Sequence, residues 1–530
     1  MSFHGTLFPF QADAVERSLE RGKLLVAYDM GLGKTVISIA AVEALFDREL
    51  IDNCIVVCTS SLQYQWKKAI AQFTKGEATT LVVGGTKAQR DRQYERIKDE
   101  DIDYAILTYD QVWRDYEHVR RLPRDVIVLD EATAIKSFRA KRSKKVKTLH
   151  APWQIALSGQ PIENRAEEVY SIMEWVDDTV LGRWDLFDNT FIQRDHFGKV
   201  KYYKNLPALH RRLSTAMVRK NRDDPDVSAQ LPKVTEEVLL VDFDDAGARL
   251  YRHIAADLQS EIALASQFGS GFNLASIYGH GSPEENVLRG KIMSRLTCLR
   301  MLCDHPLLLA ISASMYTQGQ LGGSGTKGGS VYAAELAEYG LLEKLPGTPK
   351  FVATLDLIGS ILATEGSKIV LFSFFKPTLG LLQEALSQGT NEFPSVDSVL
   401  FTGDMSNKER DIAKEQFKTD AKCRVFLSSD AGGYGVDIPE ANYLINYDLP
   451  WSSGKLEQRN ARIRRLSSEW ESVTVLNMLM ARSIEERQYS MLEQKKAIAS
   501  AIVDGQGIDL KGRLTLDLQS LNAFLEESAV

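Results

Sequence analysis

The sequence predicts an α/β protein of two parallel-sheet lobes with helical material between them. Two ladders of short apolar runs carry this reading. The first comprises 24–27, 55–58, 81–83, 105–108, 126–130 and 155–157; the second comprises 369–372, 399–401, 424–427, 443–446 and 473–477. Each run is rich in β-branched or other apolar residues and is separated from the next by polar or helix-periodic stretches. Strands that alternate with helices and show no in/out alternation are buried on both faces, as parallel strands are. A length of 530 residues is enough for about three to four domains.

In chain order, Leu7, Phe8, Pro9, Phe10 and Gln11 precede a short helix-like stretch, and on that stretch alone Gln11 reads as a helix-start residue. The run 24–27 leads into Asp29, Met30, Gly31, Leu32, Gly33, Lys34 and Thr35, and Val36, Ile37, Ile39, Ala40, Ala44 and Leu45 follow at helical spacing. Strand, glycine turn and helix in that order suit a polyphosphate. Glycines let backbone N–H groups close around it, the helix N-terminus adds partial positive charge, Lys34 reaches the outer phosphates, and the Thr35 hydroxyl can ligate Mg²⁺. The general pattern GxxxxGK[ST] would place its first glycine at 28, where Tyr28 stands.

The run 126–130 ends on Asp130 and Glu131. Carboxylates at the end of a buried strand are costly unless something there needs negative charge. Asp130 is expected to hold the metal of a nucleotide and Glu131 to activate the attacking water. Lys136, Arg139, Lys141, Arg142, Lys144, Lys145 and Lys147 follow, a basic stretch placed for phosphate contact with nucleic acid. From Arg165 to about Leu345 the pattern is mostly helical, interrupted by Gly/Ser-rich segments at 268–283 and 318–330. In the second ladder, a glycine-rich loop (Ala431, Gly432, Gly433, Tyr434, Gly435) follows 424–427. Gln458, Arg462 and Arg465 recur at spacings of four and three, which predicts one helix face. Beside a phosphate loop such arginines read as fingers for a transferring phosphoryl group.

Composition bounds the partners. The chain is 44% hydrophobic with a net charge of −7, so a polyanion must bind local basic patches. No apolar run approaches the ~18 residues of a membrane helix, and the first eleven residues lack a signal-peptide pattern. The five cysteines, Cys54, Cys58, Cys298, Cys303 and Cys423, form no CxxC pair. They read as reduced core thiols of a protein in cytosol or nucleus.

These motifs together resemble the superfamily-two helicase ATPases of the SWI/SNF chromatin-remodeller type, in a compact, bacterial or phage-like form. DMGLGKT, IVVCTSSLQYQW (55–66), ILTYDQV (106–112), LDEATAIKS (129–137), ALSGQPIEN (156–164), MVRKNRDD (217–224), LPKVTEEV (231–238), LRMLCDHPLLL (299–309), FTGDMSNKER, SSDAGGYGVDIPEANYLINYDLPW and QRNARIRR carry the likeness, from about 7 to 505. Thr133, Gln160, Thr59, Arg464 and Asp437 depart from the family's usual residues.

The resemblance implies two RecA-like lobes: lobe one at 1–165 with a helical insertion at 166–235, then a helical insertion and linker at 236–345, lobe two at 346–505 and a tail at 506–530. It implies an ATP-dependent translocase on double-stranded DNA, monomeric, away from membranes and open to a recruiting protein. It would be cytoplasmic in a bacterial or phage-infected cell and nuclear in a eukaryote. ATP would be held by Gln11, in the role of an adenine-recognising Q motif, with Gly31, Leu32, Gly33, Lys34, Thr35, Gly435 and Asp437, and Mg²⁺ by Thr35 and Asp130. Lys34, Glu131, Gln458, Arg462 and Arg465 would be catalytic. Ser61, Trp66, Thr108, Tyr109, Lys136 and Arg139 of lobe one, with Thr402, Gly403, Ser428 and Trp451 of lobe two, would grip DNA. A strand-separating DNA or RNA helicase and an ATP-gated DNA-binding scaffold are the rival readings.

Overall fold

The computed structural model describes residues 2–138, 140–196, 198, 200–267, 283–320, 329–389, 394–430 and 436–505. Arg139, Gly435 and the tail lie outside the described residues, as do most of the two Gly/Ser-rich segments. The chain forms two compact units. The first holds the described residues of Met1–Pro232, Ser452–Gly454 and Gln494–Arg513, and the second those of Lys233–Trp451 and Lys455–Glu493.

In the first unit, seven strands make one parallel sheet. They are β1 (Lys23–Tyr28), β2 (Cys54–Cys58), β3 (Thr80–Val82), β4 (Tyr104–Thr108), β5 (Val126–Asp130), β6 (Trp153–Leu157) and, beyond a small antiparallel hairpin of β7 (Ile192–Arg194) and β8 (Val200–Tyr203), β9 (Met217–Lys220). The order across the sheet is β3-β4-β2-β5-β6-β1-β9. Leu25 sits in register with Ala156 on one side and Met217 on the other. Every residue of β2, β4 and β5 is buried, so their apolar runs fill both faces, which is why they read as uninterrupted hydrophobic stretches.

The second unit repeats the plan with β10 (Lys233–Val241), β11 (Ile369–Phe372), β12 (Asp397–Phe401), β13 (Cys423–Ser428), β14 (Tyr443–Asn446) and β15 (Ser472–Met480), ordered β10-β15-β14-β11-β13-β12 and all parallel. Helices Asp245–Gln267, Pro283–Asp304, Leu307–Gln320 and Val331–Glu338 bury a separate apolar core through Tyr251, Ile254, Leu258, Leu299 and Leu309. The expectation of mostly helical structure from 165 to 345 is corrected at β7, β8, β9 and β10. Both β9 and β10 are edge strands. In β9 only Met217 is buried, and β10 is exposed over most of its length, so neither shows the apolar run that marks a central strand.

All five cysteines are free and buried, and among the described residues no helix is long and apolar enough to cross a membrane. Charge is buried in the second unit. Lys350, 1% exposed, donates to both Glu485 oxygens at 2.7 and 2.9 Å, and the Met480 N–H donates to Glu485 at 2.8 Å. Removing Glu485 leaves Lys350 in a low dielectric with the more distant Asp304, at 3.6 Å, as its counter-charge. Glu485→Ala is therefore expected to cost about 3–5 kcal/mol in urea unfolding. A loss below about 1 kcal/mol would mean that the pair behaves as a solvated surface bridge.

Candidate nucleotide site

β1 ends at Tyr28 because the chain must leave the sheet where polar residues begin, and the turn 29–33 carries it into the helix Lys34–Asp47. Gly31 and Gly33 have φ of 87° and 77°, a region that L side chains avoid. At Gly33 a Cβ would also run into Gln11 Nε2. Lys34 Nζ lies over the turn and donates to the Tyr28 and Asp29 carbonyls at 2.9 and 3.2 Å. Thr35 follows on the first helical turn, partly exposed.

Gln11 fills a structural role here. Its Oε1 accepts from the Phe8 N–H at 3.0 Å, as a helix-start residue does, and its Nε2 donates to the Leu32 carbonyl at 3.1 Å. The Tyr28 hydroxyl donates to the Phe10 carbonyl at 2.6 Å. The N-terminal helix Pro9–Arg21 is thus tied to the loop at two points. Gly159, after β6, closes another side: a Cβ there would sit 2.9 Å from Met30 Cγ and 3.5 Å from Lys34 Nζ.

Asp130, at the end of β5, is 7% exposed. Burial pushes its carboxyl up; the Trp66 indole and the Lys34 charge partly offset this. Oδ2 accepts from Trp66 Nε1 at 2.8 Å and Oδ1 from the Glu131 N–H at 3.0 Å. Glu131 itself takes φ 53°, ψ 58°, a left-handed conformation that costs about 1–3 kcal/mol in a non-glycine residue and is concentrated at functional sites.

The second unit corrects the expected helix face. The helix Ser453–Asn460 carries Gln458, half-buried, but ends before Arg462 and Arg465, which lie in the turns that follow. Ala461 and Ile463 are fully buried, and this inward anchoring turns the chain out of helical spacing. Both arginines are 7% exposed. Arg462 Nη1 donates to the Val436 carbonyl at 3.1 Å, and Arg465 Nη2 pairs with Asp437 at 2.5 Å. Burial pushes the Arg465 pKa down to about 10, with Asp437 opposing it, so the guanidinium keeps its charge at neutral pH. Asp437, expected at the nucleotide, is placed as the counter-charge of the arginines. Arg459, fully enclosed, holds Asp430 at 2.6 Å and the Asp448 carbonyl at 2.6 Å.

Four residues expected to contact the duplex are buried. Trp66, Thr108, Tyr109 and Ser428 are 2%, 8%, 3% and 0% exposed, and their polar groups bond inward. The Trp66 indole is on Asp130, the Thr108 hydroxyl accepts from Gln111 N–H, the Tyr109 hydroxyl donates to the Asp130 carbonyl, and the Ser428 hydroxyl donates to the Ser429 carbonyl. Ser61 is exposed, while Thr402, Gly403 and Trp451 are partly exposed. Lys136, also partly exposed, is paired with Glu163.

Sequence reasoning passed over Arg219 and Arg222, which flank the loop from β9. Arg219 Nη1 pairs with Asp29 at 2.7 Å, the Arg222 N–H donates to the other Asp29 oxygen at 3.1 Å, and Arg222 Nε donates to the Met30 carbonyl at 2.9 Å. Burial alone would raise the Asp29 carboxyl, but the two arginines hold it below the usual range. The signal available was the pair of arginines in MVRKNR.

Residues 14–308 match the SNF2-related domain, and residues 349–467 match the helicase conserved C-terminal domain. Among curated relatives, YwqA of Bacillus subtilis, whose name describes an ATP-dependent helicase/translocase, is 26% identical over 95% of this chain and 50% of its own length. The uncharacterized ATP-dependent helicase YqhH of the same bacterium is 24% identical over 94% of this chain and 80% of its own. The chain thus spans half the length of YwqA. The Hef helicase domain of Pyrococcus furiosus shares the fold at a TM-score of 0.52, with 15% identity over 91% of this chain and 97% of that one.

Trp66→Phe leaves a buried Asp130 oxygen without its donor and is expected to lower stability by about 1–3 kcal/mol in thermal or urea unfolding. Duplex affinity, read by fluorescence anisotropy at fixed salt, should stay within about twofold because the indole faces inward. Unchanged stability with lost DNA binding would return Trp66 to the duplex surface.

Proposed function

Since the chain belongs to the SNF2-related family of ATP-dependent helicase-like proteins, we propose that it is a DNA-dependent ATPase that moves along double-stranded DNA and displaces or remodels what it meets there. The observation that supports this most is the joint placement of Lys34 over the glycine turn and of Asp130, whose carboxyl feels the Lys34 charge. A phosphate loop and an acidic strand end on one sheet are the parts that phosphoryl transfer needs. Lys34 and the loop N–H groups take the phosphates and Glu131 orients and deprotonates the attacking water; Gln458, Arg462 and Arg465 belong to the proposed catalytic set, the arginines as positive charge for a transferring phosphoryl group.

The Thr35 hydroxyl and the Asp130 carboxylate are hard oxygen donors of the kind Mg²⁺ takes. Among the described residues no group of three or more His, Cys, Asp or Glu side chains offers a metal cage, which suits an ion held largely by phosphate and water. Bound there, Mg²⁺ neutralises phosphate charge. For DNA, the accessible candidates Ser61, Lys136, Thr402, Gly403 and Trp451 suit backbone contact, which carries little sequence preference and strong salt dependence.

ATPase rates with no nucleic acid, single-stranded DNA, double-stranded DNA and RNA test the reading. Duplex DNA should stimulate turnover by about tenfold or more, and Glu131→Gln should lower it by about 10² or more without abolishing nucleotide binding. Stimulation by RNA alone would overturn the substrate assignment. ATP-driven unwinding of a plain duplex, without triplex displacement, would move the assignment to a strand-separating helicase. A Glu131→Gln protein that remodels normally would leave an ATP-gated scaffold.

A further inference from the structure

Arg219 joins two carboxylates that are far apart in sequence. Its Nη1 donates to Asp29 at 2.7 Å and to the Ala27 carbonyl at 2.8 Å, its Nε donates to Asp504 at 2.6 Å, and its Nη2 donates to Asn221 Oδ1. Asn221 Nδ2 in turn donates to Asp504 at 3.1 Å. Asp504 follows the helix Ile484–Val503 and is itself held by the Ser500 hydroxyl at 2.6 Å and by a bond from its own N–H to the Ser500 carbonyl at 2.8 Å. The three charged side chains are 24% (Asp29), 18% (Arg219) and 11% (Asp504) exposed. All belong to the first unit.

A guanidinium offers five N–H donors in a rigid plane, and here its two ends are fixed by different carboxylates. Asp29 opens the glycine turn, so the Arg219 plane decides where the turn begins. Asp504 decides how that plane is set.

Building on the proposed ATPase reading, we propose that Arg219 is the positioning residue of the phosphate loop and that Asp504, at the end of the C-terminal helix, orients it and thereby tunes affinity for nucleotide. Neither residue touches phosphate. The lever is geometric: without Asp504, the guanidinium keeps its bonds to Asp29, the Ala27 carbonyl and Asn221 but loses its Nε acceptor, Asn221 loses the carboxylate that holds its amide, and the loop loses preorganisation.

The full-length protein tests this with Asp504→Ala, Asp504→Asn, Asp29→Asn and the Asp29→Asn/Asp504→Ala double variant. The readouts are equilibrium binding of a fluorescent ATP analogue, ATP KM and kcat with duplex DNA, and the melting temperature. Asp504→Ala is expected to weaken analogue binding and raise KM by about tenfold, with kcat within about twofold. Asp504→Asn, whose amide oxygen still accepts from Nε, should recover most of the loss. The double variant should bind no more than about twofold worse than Asp29→Asn alone, because both changes act through one guanidinium.

Analogue binding by Asp504→Ala within about twofold of wild type, or losses that add in the double variant, would overturn the proposal. If Asp504→Ala melts early, Asn221→Ala decides instead: weaker analogue binding at an unchanged melting temperature supports the proposal, and binding within about twofold of wild type overturns it. A wild-type protein that binds the analogue but shows no nucleic-acid-stimulated turnover would sink the ATPase reading and leave the binding comparison intact.

Discussion

A parallel sheet buried on both faces can present polar side chains only where its strands end. Several features of the first unit's candidate site follow from that constraint: Asp29 after β1, Asp130 closing β5, Gly159 after β6, and Arg222 just beyond β9. The constraint is harshest at Asp130, which keeps its carboxylate almost out of water. A charge placed there needs donors, and the structure supplies the Trp66 indole and the Glu131 N–H. Supplying them determines two other features. Trp66 is drawn into the interior, and Glu131 takes a left-handed backbone that few residues of its kind adopt.

The same constraint explains what could be read from the sequence. All eleven expected runs correspond to observed strands, with ends moved by a few residues, and nine of them are central strands with largely apolar runs. Of the four edge strands, β3 and β12 show as apolar runs, whereas mixed composition hides the other two: MVRK of β9 and KVTEEVLLV of β10 read as parts of helical stretches. Spacing rules misled where burial outranked periodicity. Arg462 and Arg465 keep i, i+3 spacing, yet Ala461 and Ile463 go into the core and the helix stops at Asn460. Chemical residue type located the loop and the acidic strand end but not the inward direction of Trp66, Tyr109 and Ser428, since an indole or hydroxyl that satisfies a buried acceptor looks the same in sequence as one that faces DNA.

Residues that depart from the expected motifs gain physical meaning from their partners. Tyr28, where the general phosphate-loop pattern has glycine, uses its hydroxyl to hold the Phe10 carbonyl, while its own carbonyl accepts from Lys34. Asp437 sits beside Arg465 because a buried guanidinium needs counter-charge. A carboxylate in that position also opposes the downward pull of burial on the Arg465 pKa.

The glycine turn is secured from three directions: by Gln11 and Tyr28 toward the N-terminal helix, by Arg219 and Arg222 toward β9, and by Gly159 against Met30 and Lys34. The ties from Gln11, Arg222 and Arg219 end on the Leu32 and Met30 carbonyls and the Asp29 carboxylate, acceptors that a phosphate would not want. These acceptors are therefore occupied from within the protein; of the turn's N–H groups, those of Asp29 and Leu32 are bonded to the Lys220 and Asp29 carbonyls at 3.0 and 3.4 Å. A loop whose carbonyls are already engaged loses less conformational entropy when an anion arrives, and it resists the alternative orientation in which carbonyls would face the phosphate. Gly31 and Gly33 supply the positive φ, 87° and 77°, at which the turn makes these ties.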